Sequence, residues 1–384
     1  MKYLNIEETI LKEKGAFYTA KEISGQPVLW KNIFKKVVAD SKGLNSFLEN
    51  VLNQTKKIIL TGAGTSGYIG YSIEGAFQRK NNITTISIPT THLVSHPKDY
   101  FDRETTTLLV SFARSGNSPE SVAAVKLADK YCENCYHLLI TCDFNGNLAK
   151  HNFKNNSYVF ILPPESNDKS LAMTGSYSGM LLAALLINDI KNINTLNSKV
   201  KLLFDYGNRI FEKYLGSIKE VASMPFKRVV YLGSGPQYGI AMESHLKLQE
   251  LTDGQIICKN DSFLGFRHGP KAVVDKNTLM VYFFSNVNEV FRYEKDLLES
   301  MENGKKPLFQ LGISEGKLDA INIDKTISLS KEENLFISEE YLSIAYILLG
   351  QLLGFYKSLD LKLKPDSPSR SGAISRVVKG VTIY

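Results

Sequence analysis

The chain is poor in cysteine and tryptophan, and its apolar residues come in short runs. Four cysteines (Cys132, Cys135, Cys142 and Cys258) and one tryptophan, Trp30, stand among 384 residues. So few cysteines cannot form a disulfide framework for a chain this long, which sets the expectation of a reduced, cytoplasmic protein. The longest wholly apolar run, about residues 180–187, falls far short of a bilayer span. The N-terminal stretch MKYLNIEETILKEKGAFYTAKE has no apolar core of a signal peptide, so no secretory signal is expected. Charge of one sign is also scarce. Lys plus Arg number 46 and Asp plus Glu 39, a net charge of +7. That excess suits an anionic small molecule but is too small and dispersed to point to nucleic acid. A hydrophobic share of 43% and a charged share of 22% exclude disordered and collagen-like chains. The length allows two domains, each with its own core.

What is present is an alternation of strand-length apolar runs with helical patterns, which predicts an α/β protein with parallel sheets. Residues 5–54 read as helices, interrupted at Gly25-Gln26-Pro27, after which Trp30, Ile33, Phe34, Val37 and Val38 recur at helical spacing. A first sheet is expected from 57–61, 84–88, 107–111, 137–141 and 158–162, with a helix over 118–130. Two long helices are expected over 173–189 and 196–215, and the run 228–232 opens a second α/β unit. The two openings are alike. IILTGAGTSGYIG (58–70) and VVYLGSGPQYGIA (229–241) share a strand, a Gly-x-Gly turn and a helix. A repeat this long means two related domains.

The halves differ in chemistry. Gly62-Ala63-Gly64-Thr65-Ser66-Gly67 lies between strand and helix, where backbone N–H groups and the helix dipole favour an anion. It lacks the acidic ribose-binding residue of a dinucleotide fingerprint and the Gly-Lys-Ser/Thr ending of a P-loop. By itself it could be a tight turn into a helix. A second loop, Arg114-Ser115-Gly116-Asn117-Ser118-Pro119, follows a strand and opens another helix. Ser118 suits the N-cap with Pro119 at the first helical position, and Arg114 adds a permanent, fork-shaped charge. Two such loops at successive strand ends suit a phosphate monoester; helix caps without a ligand remain the alternative. The matching place in the second half, VYFFSNVNEV, has no such cluster.

The second half offers acid–base groups. Glu243, Lys247 and Glu250 share one helical face, and periodicity alone favours a solvated stripe of ion pairs. His268 sits in the Gly/Pro-flanked loop FLGFRHGPK, where structural and catalytic readings are evenly matched. Cys132 and Cys135 form a single C-x2-C with no second pair, which argues against zinc or redox chemistry. His92 and His96, four apart, lack a suitable third metal ligand and read as polar surface.

The stretches SFARSGNSPES, LGSGP and LGFRHGPK, with the Glu-x-x-x-Lys-x-x-Glu helix between the last two, occur in an order that resembles known proteins. From about residue 20 onward the chain resembles the tandem sugar isomerase (SIS-domain) proteins. It is similar to the isomerase domain of glucosamine-6-phosphate synthase and, above all, to the galactosamine-6-phosphate deaminase/isomerase family (AgaS type), also labelled tagatose-6-phosphate ketose/aldose isomerases. The resemblance implies two tandem SIS domains, each a parallel-sheet α/β sandwich flanked by helices. The segments would be 1–50 (helical), 51–215 (first domain, sugar-phosphate binding), 216–365 (second domain, acid–base residues) and 366–384 (a tail closing over the site).

The resemblance also implies site residues. Thr65, Ser66, Arg114, Ser115, Ser118 and Thr174 would line the sugar-phosphate site. Glu250 would shuttle a proton between C2 and C1, and His268 would open the sugar ring from the neighbouring subunit. Lys247 would lie near the substrate, and Lys379 would ride on the closing tail. The implied reaction turns D-galactosamine 6-phosphate into D-tagatose 6-phosphate and ammonia, with no metal or cofactor. The implied partners are a small sugar phosphate and further copies of the chain, as a homodimer or higher oligomer with a shared site, and neither nucleic acid nor membrane. A plain aldose–ketose isomerase and a non-catalytic sugar-phosphate sensor are the alternatives, although a sensor has no use for Glu250, His268 and Lys379. With no N-terminal cysteine nucleophile or glutaminase domain, the synthase's use of glutamine-derived ammonia is not expected. Two extra residues between Glu250 and His268, relative to the synthase, mark a difference in that loop.

Overall fold

A computed structural model describes residues 1–318, 321–331, 336–378 and 380–384. They group into two compact units. One comprises Met1–Pro27, Lys169–Thr174 and Leu202–Ile374, the other Val28–Asp168, Gly175–Lys201 and Ser375–Tyr384.

The second of these holds a five-stranded parallel sheet in the spatial order Thr84–Ser87, Lys57–Thr61, Thr107–Ala113, Cys135–Thr141, Ser157–Ile161. The strands stand close to where the apolar runs place them, and Thr107–Ala113 is buried along its whole length. That fits a parallel strand covered on both faces. Ile59, Leu109 and Leu139 of the sheet cluster with Ala124 and Ala128 of the helix Pro119–Tyr131. Trp30 is fully buried, and its indole N–H donates to Ser178 Oγ at 3.0 Å.

The other unit holds a second five-stranded parallel sheet: Ile257–Asp261, Arg228–Gly233, Thr278–Phe283, Phe309–Ser314, Lys325–Ser328. In chain order both sheets read 2-1-3-4-5, so the sequence repeat is a repeat of topology. The order reverses between the first and third strands of each sheet, and open α/β sheets bind ligands in the crevice at that point. The loops that leave those two strands are therefore the places to look.

The helix Glu339–Asp360 packs against Pro236–Leu251 at close range. A Cβ on Gly350 would sit 2.2 Å from Ser244 Oγ, and one on Gly354 2.8 Å from Leu251 Cδ1. Only the missing side chains let these backbones approach. By length and composition Glu339–Asp360 could cross a membrane, but 94% of its apolar window is buried inside the fold.

One expectation fails. The break at Gly25-Gln26-Pro27 does not occur, because the helix Phe17–Ala39 runs through Pro27. Proline has no N–H for the carbonyl four residues back, which is that of Ile23. The side-chain amide of Gln26 donates to that carbonyl at 3.3 Å, and the same amide donates to Gln351 Oε1 at 2.5 Å. A neighbouring side chain thus supplies what Pro27 cannot.

Candidate active site

At the end of Lys57–Thr61 the chain turns sharply into the helix Thr65–Asn81. Gly64 has φ 55° and ψ −128°, a conformation that favours glycine. A Cβ on Gly62 would come within 2.5 Å of the Ser66 backbone carbon. Thr65 and Ser66, both buried, form the first turn, and no side chain caps the N-terminus at Gly64. The turn therefore sets two buried hydroxyls and a helix N-terminus at the strand end, while the Ser66 and Gly67 N–H groups donate to the Ala63 and Gly64 carbonyls at 3.2 and 2.8 Å.

The neighbouring loop leaves Thr107–Ala113 with Arg114 and Ser115 buried. Gly116 takes φ 64°, and the amide of Asn117 donates to Ser115 Oγ at 3.3 Å. Ser118 occupies the N-cap position before Pro119, as its sequence suggests, but its hydroxyl makes no capping bond. The cap reading is corrected in that respect. The Ser118 hydroxyl is not used by the helix, because Ser118 joins the first turn through its carbonyl, which receives the Ser121 N–H at 3.1 Å.

Two supports of this loop were not legible in the sequence. The Leu148 N–H donates to the Gly116 carbonyl at 2.9 Å, and a Cβ on Gly146 would lie 2.3 Å from the Ser115 carbonyl oxygen. The tail is the other support. Arg114 Nη2 donates to the backbone carbonyl of Arg376. Thr174 is fully buried just before the helix Gly175–Asn188, and its carbonyl accepts from Gln351 Nε2 at 3.3 Å.

In the second half, the helix Pro236–Leu251 carries Glu243, Lys247 and Glu250. Here the solvated-stripe reading is overturned. Glu243 and Lys247 are fully buried, while the Glu250 side chain is 22% exposed. Lys247 Nζ lies 2.5 Å from Glu250 Oε2 and 3.4 Å from Glu243 Oε1. Periodicity could not reveal this, because it does not show what encloses the helix, which packs against Arg228–Gly233, Ile257–Asp261 and Glu339–Asp360. A buried cation between two carboxylates holds the outer one, Glu250, in a fixed place with an edge toward solvent. One turn earlier, His245 Nδ1 lies 2.5 Å from the Met242 carbonyl, and burial pushes its imidazole below its usual range.

His268 lies on an exposed loop after the short helix Phe263–Phe266. The loop is anchored by the buried rings of Phe263 and Phe266, and Ser262 Oγ accepts the Gly265 N–H at 2.9 Å. Gly269 then takes φ 122°. Lys379 lies outside the described residues.

The second sheet has its own crevice, and it is filled. Glu294 Oε2 receives the Ser285 N–H at 2.9 Å, and the Ser285 hydroxyl bonds Glu339. Glu315 receives the Tyr206 hydroxyl and the Ile337 N–H, each at 2.8 Å, and the amide of Asn286. Burial pushes Glu294 up to about 8, and the nearby Glu339 charge adds to the shift. Burial also raises Glu315.

Chemically, the first crevice offers buried hydroxyls, a helix N-terminus and a guanidinium, a set that suits a phosphate dianion. The other half offers a carboxylate held by a buried lysine, a set that suits proton transfer. The fold places the chain among the sugar isomerase domain proteins, and a family model described as SIS domain matches residues 51–187.

The chain is 39% identical over 379 residues to D-galactosamine-6-phosphate deaminase AgaS of Shewanella sp. (strain ANA-3), covering 97% of this chain and 93% of that one. A crystal structure from Clostridium novyi NT superposes with a TM-score of 0.96 at 41% identity, covering 100% of this chain and 99% of the other. That of tagatose-6-phosphate ketose/aldose isomerase from Escherichia coli gives 0.85 at 34% identity, covering 96% of each. The chain belongs to the D-galactosamine-6-phosphate deaminase AgaS family.

Proposed function

We propose that the protein converts D-galactosamine 6-phosphate and water into D-tagatose 6-phosphate and ammonia. The observation that carries this reading is the Lys247–Glu250 pair, built into a chain that matches a named deaminase along nearly its whole length. Thr65, Ser66, Arg114, Ser115, Ser118 and Thr174 hold the sugar phosphate. Phosphate binding, remote from the reacting bond, supplies energy that positions C1 and C2. His268 moves a proton between the ring oxygen and O1 and so opens the pyranose.

Glu250 then takes the C2 proton, leaving an enolamine, and returns a proton to C1. The product is a ketimine at C2, which adds water and expels ammonia to leave the ketose. A carboxylate suits this shuttle because it reaches two adjacent carbons on one face of the sugar. Lys247 orients Glu250, and Lys379 steadies charge developing on oxygen. In this reading residues 51–215 form the sugar-phosphate domain, 216–365 the acid–base domain and 366–384 a closing tail. The exposure of His268 fits a residue lent to a second subunit, so the working unit is a homodimer or larger, in the cytoplasm.

The test is ammonia release from the purified protein with galactosamine 6-phosphate, run beside glucosamine 6-phosphate. Ammonia and tagatose 6-phosphate in equal amounts from the galacto substrate are expected. The name of the Escherichia coli structure favours a second reading, plain aldose–ketose isomerisation. Interconversion of tagatose 6-phosphate with an aldose phosphate, with both amino sugars left untouched, would select it.

A further inference from the structure

The segment from Arg370 to the C-terminus is exposed at almost every described position, with Arg376 and Val377 as the part-buried exceptions. What holds Arg376 is specific. Its Nε donates to the Asp168 carbonyl at 2.8 Å, and its Nη2 donates to the same carbonyl and to Asn167 Oδ1, each at 2.6 Å.

The peptide it grips is itself fixed. The buried Asp168 carboxylate receives the N–H groups of Gly175 and Ser176 at 3.1 and 2.9 Å and the Ser176 hydroxyl at 2.5 Å. Those bonds tie the 167–168 turn to the start of the helix Gly175–Asn188. In the other direction, the backbone carbonyl of Arg376 receives Nη2 of Arg114, the cation of the second polar loop. One tail residue thus joins a rigid turn to that loop.

We propose that Arg376 is a positioning residue that makes the C-terminal tail part of the phosphate site. By fixing the tail it sets a carbonyl against one edge of the Arg114 guanidinium. A guanidinium is planar, so fixing one edge fixes where its remaining N–H groups point. The coupling is reciprocal, because whatever phosphate gains from an oriented Arg114 it returns as tighter holding of the tail. A lysine at 376 could not make the forked contact to Asp168 and Asn167 together. The inference rests on the reading of Arg114 as a phosphate ligand.

The experiment compares wild type with R376A and R376K. It combines calorimetric binding of galactosamine 6-phosphate, steady-state kinetics, and hydrogen exchange of the tail amides with and without that ligand. In wild type the sugar phosphate is expected to slow exchange across 375–384. R376A should abolish that slowing and weaken binding by about tenfold or more, the usual worth of a hydrogen bond to a charged group. R376K should fall between the two. A purely structural role would change stability without removing the ligand's effect on the tail. Wild-type affinity and wild-type tail protection in R376A would overturn the inference while leaving the proposed activity standing. Failure of the wild type to bind any sugar phosphate would remove the phosphate reading and this inference with it.

Discussion

The two Gly-x-Gly turns have nearly the same backbone. Gly64 sits at φ 55°, ψ −128° and Gly235 at φ 52°, ψ −126°, each just before a helix at the end of the first strand of its sheet. A Cβ on the earlier glycine would strike the helix backbone in both, at Ser66 and at Gln237. What surrounds the turns is opposite in kind. Around the first stand Thr65, Ser66, Arg114 and Ser115; at the strand ends of the second sheet stand Glu294, Glu315 and Glu339. The first set offers a phosphate dianion a cation and hydroxyl donors, whereas the second is carboxyls already bonded to neighbouring protein groups. The fold thus fixes where a ligand crevice lies, and the residues decide whether it is a crevice or a packed polar core. In the function proposed above, the second half acts from a different surface, the helix that carries Lys247 and Glu250.

The strongest way to break this division of labour is to remove the base and keep the binding loops. Glu250→Gln keeps the shape and loses the proton acceptor. Turnover should fall by about 10²–10⁴-fold, the ordinary worth of general acid–base catalysis, while sugar-phosphate affinity stays near wild type. Single-turnover kinetics with calorimetry checks both halves of the claim. Retained turnover would remove Glu250 as the proton carrier, and lost affinity would mean that the two halves do not divide the work.

Much of this was open to reading before any coordinates. The strands of the first sheet, the helix after Ser118 and the repeat itself follow from apolar runs and Gly-x-Gly turns, which are local signals. The misses share a cause, since each depends on residues far apart in the chain. Pro27 stays helical because Gln26, whose amide is also held by Gln351 near the other end of the chain, covers the Ile23 carbonyl. Glu243 and Lys247 look like a solvated stripe until the strands and helices packed around them are in place. The filled second crevice draws its carboxylates from residues 294, 315 and 339, a spread that no motif captures. The clasp of Arg376 on Asn167 and Asp168 spans more than two hundred residues.

Importing the second half's chemistry into the first is a sharper and smaller perturbation. Ser115→Asp places a carboxylate where the structure has a buried hydroxyl. Repulsion of a dianion at such range should raise KM on the order of 100-fold or more, even with partial neutralisation by Arg114. Ser115→Ala, which only deletes a hydroxyl, should cost about tenfold. If the two variants bind equally, charge is not what separates the crevices.

The mildest test concerns the second crevice and is read in stability. Burial pushes the Glu294 carboxyl up to about 8 in the folded protein, whereas the unfolded chain titrates it near its ordinary value of 4.5. Between those values the folded state holds a proton that the unfolded state has released. Stability from this group is therefore fully present below about pH 4.5, falls through the window, and levels off above about 8. The slope is at most roughly 1.4 kcal/mol per pH unit near mid-window. Glu294→Gln can keep the bond from the Ser285 N–H and has nothing to titrate, so its melting temperature should decline less than that of wild type between pH 5 and 8. At pH 8 the variant should lose less, or gain, relative to its standing at pH 5. Parallel curves would mean that Glu294 is ionised throughout, and the second crevice would then carry more negative charge than its packing implies. The contrast with the first crevice would widen.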